Sequence, residues 1–195
     1  EYIVQACAGI GEAHALGIVH RDLKPGNLFL DESAGQPFVR VLDFGLSKAL
    51  DAQTGGAELT NDKDALGTLA YMSPEQLRAT KHVDARTDVW ALGIVLYRLL
   101  MGKAPMTEKS YAMATRLLDA KPLPRVARED VSRELADVIA CALEKDVTKR
   151  YPDARAFGRA LLPFLQQPSP STRLAIEELG TMPTPRASLV SELYG

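Results

Sequence analysis

The chain is 195 residues long, 46% hydrophobic and 25% charged, the make-up of one ordinary globular domain with or without a tail. Its formal net charge of −2 supplies no basic field for nucleic acid or acidic lipid. The two cysteines, Cys7 and Cys141, sit in apolar helical patterns with no Cys-x-x-Cys pair or His/Cys cluster nearby. They read as small core residues rather than as zinc ligands or a disulfide framework.

In residues 2–16, Ile3, Ala6, Ile10 and Ala13 recur at helical spacing with Cys7 beside them, which predicts an amphipathic helix closed by Gly17. His14, on this helix, reads as a packed or surface imidazole with no catalytic role. Glu1 opens the chain inside the helical pattern, as expected of a fragment or an incomplete reading frame. Residues 28–30 and 38–42 read as two short strands joined by a polar turn at 31–36. Residues 46–68 have no firm period and are rich in turn formers, the pattern of a long functional loop. Residues 84–101 predict a helix apolar nearly all round, which belongs at the centre of a core, with Gly102 just past its end. Its longest apolar stretch, 89–101, contains Arg98 and is too short to span a bilayer. Further helices are expected at 108–118, at 132–143 with Ser132 as N-cap, and at 153–162 with Asp153 as N-cap. Past Pro163 the composition turns to Pro, Ser and Thr, as in a linker or tail, with one or two helical turns at 174–179.

Two stretches carry the chemistry. His20-Arg21-Asp22-Leu23-Lys24-Pro25-Gly26-Asn27 brings a potential base, two cations and a metal-binding amide together, and Asp43-Phe44-Gly45 adds a second acid. The hairpin between them should return Asp43 beside Asn27 and Asp22. Two converging oxygen ligands suit a hard cation such as Mg²⁺, which takes one or two carboxylates plus phosphate oxygens. An isolated Asp is more often a turn or loop-capping residue. Two such motifs in this order, separated by a strand pair, argue against that plainer reading.

The sequence His20 to Asn27 followed by Asp43-Phe44-Gly45 resembles the catalytic loop and metal loop of protein kinases. The resemblance runs densely over residues 1–165. It includes Gly67-Thr68 and Tyr71-Met72-Ser73-Pro74-Glu75, which close an activation segment of about residues 43–75. Ser73 replaces the family's usual Ala, one small residue for another. The implied fold is mainly α: the larger, C-terminal kinase lobe, a helical bundle with a short β-hairpin beside the active site, the small N-terminal lobe being absent. Residues 1–165 would form the lobe and 166–195 a tail or linker. Upstream of His20 there is no G-x-G-x-x-G loop and no strand lysine.

By the same resemblance, Asp22 accepts or orients the proton of the attacking hydroxyl, and Lys24 stabilises the transferred phosphoryl. Asn27 and Asp43 hold Mg²⁺ or Mn²⁺ on ATP, and Thr68 bonds to Asp22 and Lys24. Phe29 forms the floor of the adenine pocket. His20, Phe44 and Gly45 support the site, Asp88 braces the catalytic loop, and Glu75 pairs with Arg150. Arg21 marks a kinase whose activation segment is ordered by phosphorylation, with Thr60 and then Thr54 as the acceptors. Lys24-Pro25 and Thr68 resemble the serine/threonine class, and the residues around Tyr71–Gln76 and 83–89 have a bacterial style.

The implied function is transfer of the ATP γ-phosphate to Ser and Thr hydroxyls of protein substrates, by a cytoplasmic enzyme or the cytoplasmic part of an anchored one. No nucleic-acid partner and no membrane segment are expected of this chain, while the resemblance leaves room for a dimer through the smaller lobe. This chain alone should transfer phosphate poorly, because half the ATP cleft is missing from it. A stand-alone lobe acting as a binding or regulatory module is the alternative. A phosphotransferase acting on small molecules fits less well, since those usually lack the Lys-Pro pair and the Gly-Thr to Pro-Glu segment.

Overall fold

The computed structural model describes residues 1–33, 35–44, 68–78, 83–106 and 110–180. Helix α1 (Tyr2–Ala15) buries Ile3, Val4, Ala6, Cys7, Ile10 and Ala13, the stripe its periodicity predicts. It closes in a Schellman arrangement, the Gly17 N–H donating to His14 O at 3.0 Å and the Ile18 N–H to Ala13 O at 2.9 Å. Gly17 has φ of 75°, where a side chain would be strained.

A 3-10 turn at Pro25–Asn27 leads into β1 (Leu28–Asp31), which pairs antiparallel with β2 (Phe38–Val41). Leu28 stands opposite Val41 and Asp31 opposite Phe38. The Leu42 N–H donates to Asn27 O at 2.9 Å, so the hairpin brings the chain back to Asn27. This pair is the one sheet among the described residues.

Helix α2 (Pro74–Leu77) is a single turn held by a capping box between Ser73 and Gln76. Helix α3 (Arg86–Met101) runs through the core, with Val89, Trp90, Leu92 and Ile94 fully buried. The all-round burial expected of it fails at the last turn, where Leu99 is 61% exposed.

Helices α4 (Ser110–Leu118), α5 (Arg133–Ala142) and α6 (Ala154–Leu161) follow within two residues of their expected bounds. Ser132 Oγ accepts from Leu135 N at 3.2 Å, and Asp153 Oδ1 from Ala156 N at 2.7 Å. Asp153→Ala removes an N-cap and should cost about 1 kcal/mol, a fall of roughly 3 °C in Tm for a chain of this size. A thermal melt followed by circular dichroism checks this, and an unchanged Tm would refute it.

Within residues 166–195, expected as tail or linker, the structure forms a full helix, α7 (Pro170–Gly180), longer than the one or two turns predicted. It packs on α1 and α6. The three helices meet at Gly158, where a Cβ would lie 2.8 Å from Cys7 Cβ and 2.9 Å from Leu179 Cδ1, so only glycine permits the approach. Burial pushes the Cys7 thiol up, leaving it an inert packing group, while Cys141 is half-buried. Among the described residues no helix is long and apolar enough to cross a membrane.

Candidate active site

The loop from Ile18 to Lys24 has little regular structure of its own, so its shape comes from side chains beneath it. The carboxylate of Asp88, in the first turn of α3 and fully buried, receives most of that load. Its Oδ2 accepts the His20 N–H at 2.8 Å and its Oδ1 the Arg21 N–H at 2.9 Å. Arg21 takes φ of 66° and Asp43 φ of 53°, the two non-glycine residues with positive φ among those described. Such strain persists where surrounding contacts over-determine the backbone, as the two amide bonds to Asp88 do for Arg21.

His14 supplies a further brace that sequence reasoning missed. Its Nδ1 accepts the Ala154 N–H at 3.2 Å, which puts the proton on Nε2, and Nε2 donates to Asp88 Oδ2 at 2.9 Å. The imidazole thus ties the start of α6 to the carboxylate under the loop. His20, also fully buried, accepts the Asp22 N–H on Nδ1 at 3.3 Å and donates from Nε2 to Leu42 O at 2.9 Å. Phe44 lies against its ring, with centroids 4.9 Å apart. His20 therefore links the loop that carries Asp22 to the strand end that precedes Asp43.

Above this base, Lys24 Nζ donates to Asp22 Oδ2 at 3.1 Å and to Thr68 Oγ1 at 3.3 Å. The Asn27 side-chain amide donates to Asp22 O at 2.8 Å. Asp22, Lys24, Asn27 and Thr68 are thus brought together, although Thr68 lies 44 residues from Lys24 in the chain. Phe29 sits on the hairpin at 54% exposure.

The segment that delivers Thr68 is anchored by Glu75. Its carboxylate receives Arg150 Nη1 at 2.7 Å and Nη2 at 2.8 Å, and Thr87 Oγ1 at 2.8 Å. Burial tends to raise the Glu75 pKa, but the hydrogen bonds and charge of Arg150 outweigh it and hold the carboxyl below its ordinary range. Gln76 adds a link with only a weak sequence signal, its capping-box spacing from Ser73. Its Nε2 donates to Arg21 O at 2.8 Å while its Oε1 accepts the Ser73 N–H at 3.0 Å. Arg21 Nε is buried and has no hydrogen-bond partner among the described residues. Gly45, Thr54 and Thr60 lie outside the described residues.

A helical lobe with one hairpin, its loop braced by a core carboxylate, is the larger lobe of a protein kinase. The chain belongs to that family: the model of the protein kinase domain matches residues 1–159. Its relatives are of the bacterial serine/threonine type. It is 42% identical over 160 residues to serine/threonine-protein kinase Pkn1 of Myxococcus xanthus, covering 80% of this chain and 22% of that protein. It is 40% identical over 156 residues to serine/threonine-protein kinase PknB of Mycolicibacterium smegmatis, covering 79% of this chain and 24% of that one. With serine/threonine-protein kinase PknL of Mycobacterium tuberculosis the identity is 36% over 183 residues, 92% of this chain and 42% of the relative. The chain thus spans less than half the length of these curated relatives.

Proposed function

We propose that this lobe serves ATP-dependent phosphorylation of serine and threonine hydroxyls on protein substrates, in the cytoplasm where ATP is supplied. The observation that carries the reading is the Asp22–Lys24–Thr68 cluster, with Lys24 Nζ within 3.3 Å of both partners. Asp22 is the group that orients the substrate hydroxyl and takes its proton. Lys24, held between Asp22 and Thr68, lies where charge on the transferred phosphoryl can be met by a fixed cation. Thr68 fixes the lysine and ties the activation segment to the catalytic loop. Phe29 offers its exposed ring as the floor under the adenine.

The donor set fits a hard divalent cation. The Asn27 amide nitrogen is committed to Asp22 O, which leaves its carbonyl oxygen for Mg²⁺ or Mn²⁺, and Asp43 adds a carboxylate. Bound Mg²⁺ would neutralise phosphate charge during transfer. Arg21 is proposed to receive a phosphate on Thr60, or failing that Thr54, which would offer strong acceptors to its guanidinium.

The test is phosphate transfer from MgATP by the full-length protein that carries this lobe, to serine, threonine and tyrosine versions of one peptide. Phosphate on the serine and threonine peptides is the expected result, and mass spectra of the same samples read Thr60 and Thr54. Transfer to tyrosine alone, or no transfer to any of the three, would overturn the reading in favour of another acceptor or a binding module.

A further inference from the structure

Helix α7 lies beyond residues 1–159, where the family match ends, and no step proposed above uses it. Yet both its ends are built into the lobe. At its C-terminal end Arg155, 6% exposed, donates from Nη1 to Glu178 O at 2.7 Å and from Nε to Gly11 O at 3.3 Å. Arg159 Nη1 donates to Leu179 O at 3.2 Å. Two cations thus satisfy the carbonyls that a helix end leaves unpaired. Between the ends, Ala175 and Leu179 are buried at 1% and 0% exposure.

At its N-terminal end the contacts reach the site's hairpin. Gln5 of α1, 2% exposed, donates from Nε2 to Thr172 Oγ1 at 2.8 Å and to Ser171 Oγ at 3.3 Å. The other end of the same amide, Oε1, accepts the Val39 N–H of β2 at 2.8 Å. Ser171 Oγ donates to Pro37 O at 2.9 Å, just before β2 begins. Thr172 Oγ1 donates to Glu1 Oε2 at 3.0 Å, completing its own bonding.

These bonds fall on a definite edge of the sheet. The Leu42 N–H donates across the ladder to Asn27 O, so the amide of Val39, three residues earlier, points off the opposite edge of β2. An unpaired strand edge slides and frays. Here Gln5 and Ser171 occupy it.

We propose that α7 is a positioning element of the site. Through Gln5 and Ser171 it holds the outer edge of β2, and so fixes where the open end of the hairpin delivers Asn27, ahead of β1, and Asp43, after β2. The hydrogen bonds stand whatever reaction the site performs. Only the naming of Asn27 and Asp43 as cation ligands rests on the kinase reading.

The experiment is residue-resolved amide hydrogen exchange on the full 195-residue chain, comparing the parent with a Ser171→Ala/Thr172→Val double variant. Val138 and Ile139 of α5 serve as internal references. Exchange at Val39 and Leu42 should quicken roughly tenfold with the α5 amides unchanged, as loss of one or two anchoring hydrogen bonds implies for a local opening. Thr172→Ser, which keeps the hydroxyl, should exchange like the parent. Should the double variant not fold, Ser171→Ala alone carries the same test through the bond to Pro37 O. Unchanged exchange at Val39, or equal acceleration at Val39 and in α5, would overturn the proposal. Phosphate transfer has no part in this readout, so failure of the kinase reading would leave it unmoved.

Discussion

Arg150→Ala is expected to destabilise the lobe by about 3–5 kcal/mol, the usual cost of removing one partner from a buried ion pair. That corresponds to a fall of roughly 10 °C in Tm for a chain of this length. The guanidinium is engaged on every side. It forms two bonds to Glu75, one to Glu144 O at 2.5 Å and one to Arg86 O at 3.2 Å, and it lies 4.8 Å from the Trp90 ring centroid. Alanine would leave the Glu75 carboxylate, 8% exposed, with Thr87 and without its counter-charge. Because the Glu75–Arg150 pair anchors the residues that follow Thr68, limited proteolysis between Thr68 and Arg78 should accelerate as well.

The pH dependence gives this prediction a second reading. The folded-state pKa of Glu75 is depressed below its unfolded value. The pair's contribution is therefore fully present above the ordinary glutamate range, and it is lost as pH falls through the depressed value. In Arg150→Ala the lowering by Arg150 goes, and burial, opposed only by the remaining bonds from Thr87 and the backbone, leaves the carboxyl's pKa above that of the parent. The stability gap between parent and variant should be widest near neutral pH and should narrow on acidification. Equal melting and equal cleavage at neutral pH would show that the pair does not anchor the segment.

Local features were legible in the residues themselves; of the distant contacts, those the resemblance implied, such as Glu75 with Arg150 and Asp88 beneath the loop, were legible, and the others were not. The hairpin could be read because two short apolar runs flank a polar turn, and the residues it joins lie close in the chain. The N-caps at Ser132 and Asp153 need only the residue and the pattern after it. His14 was read as a bystander because its partner Asp88 is 74 residues away, and nothing on α1 announces the meeting. Gln76 could be suspected of capping Ser73, but not of reaching Arg21 O, 55 residues back. The positive φ at Arg21 and Asp43 is equally silent: neither is a glycine, and at Arg21 the strain is imposed from outside the loop by Asp88. Helix α7 was underestimated because residues 166–171 have linker composition, and Ala175 and Leu179 are too few to set a period. What seats it is Gln5, 167 residues from Thr172, and Arg155, 23 residues from Glu178.

Asp22→Asn should lower kcat by about 10² to 10⁴-fold in the full-length protein, the range for loss of a general base. Asparagine keeps the shape and one oxygen for Lys24, but it cannot accept the hydroxyl proton. The surroundings should hardly change. The Asp22 N–H to His20 and the Asp22 carbonyl to Asn27 are backbone contacts, unaffected by the substitution. Since Asn27 and its amide stay in place, KM for MgATP should move little, the pattern of a group whose contribution is made in the transition state. Thr68→Val supplies the contrast. It removes one of the two oxygens that hold Lys24 while leaving the base intact, so it should cost less than Asp22→Asn, with the Lys24–Asp22 bond still formed. If Asp22→Asn kept activity within about threefold of the parent, far below the range for a general base, proton transfer would not run through Asp22. The cluster would then be a structural tie between the catalytic loop and the activation segment.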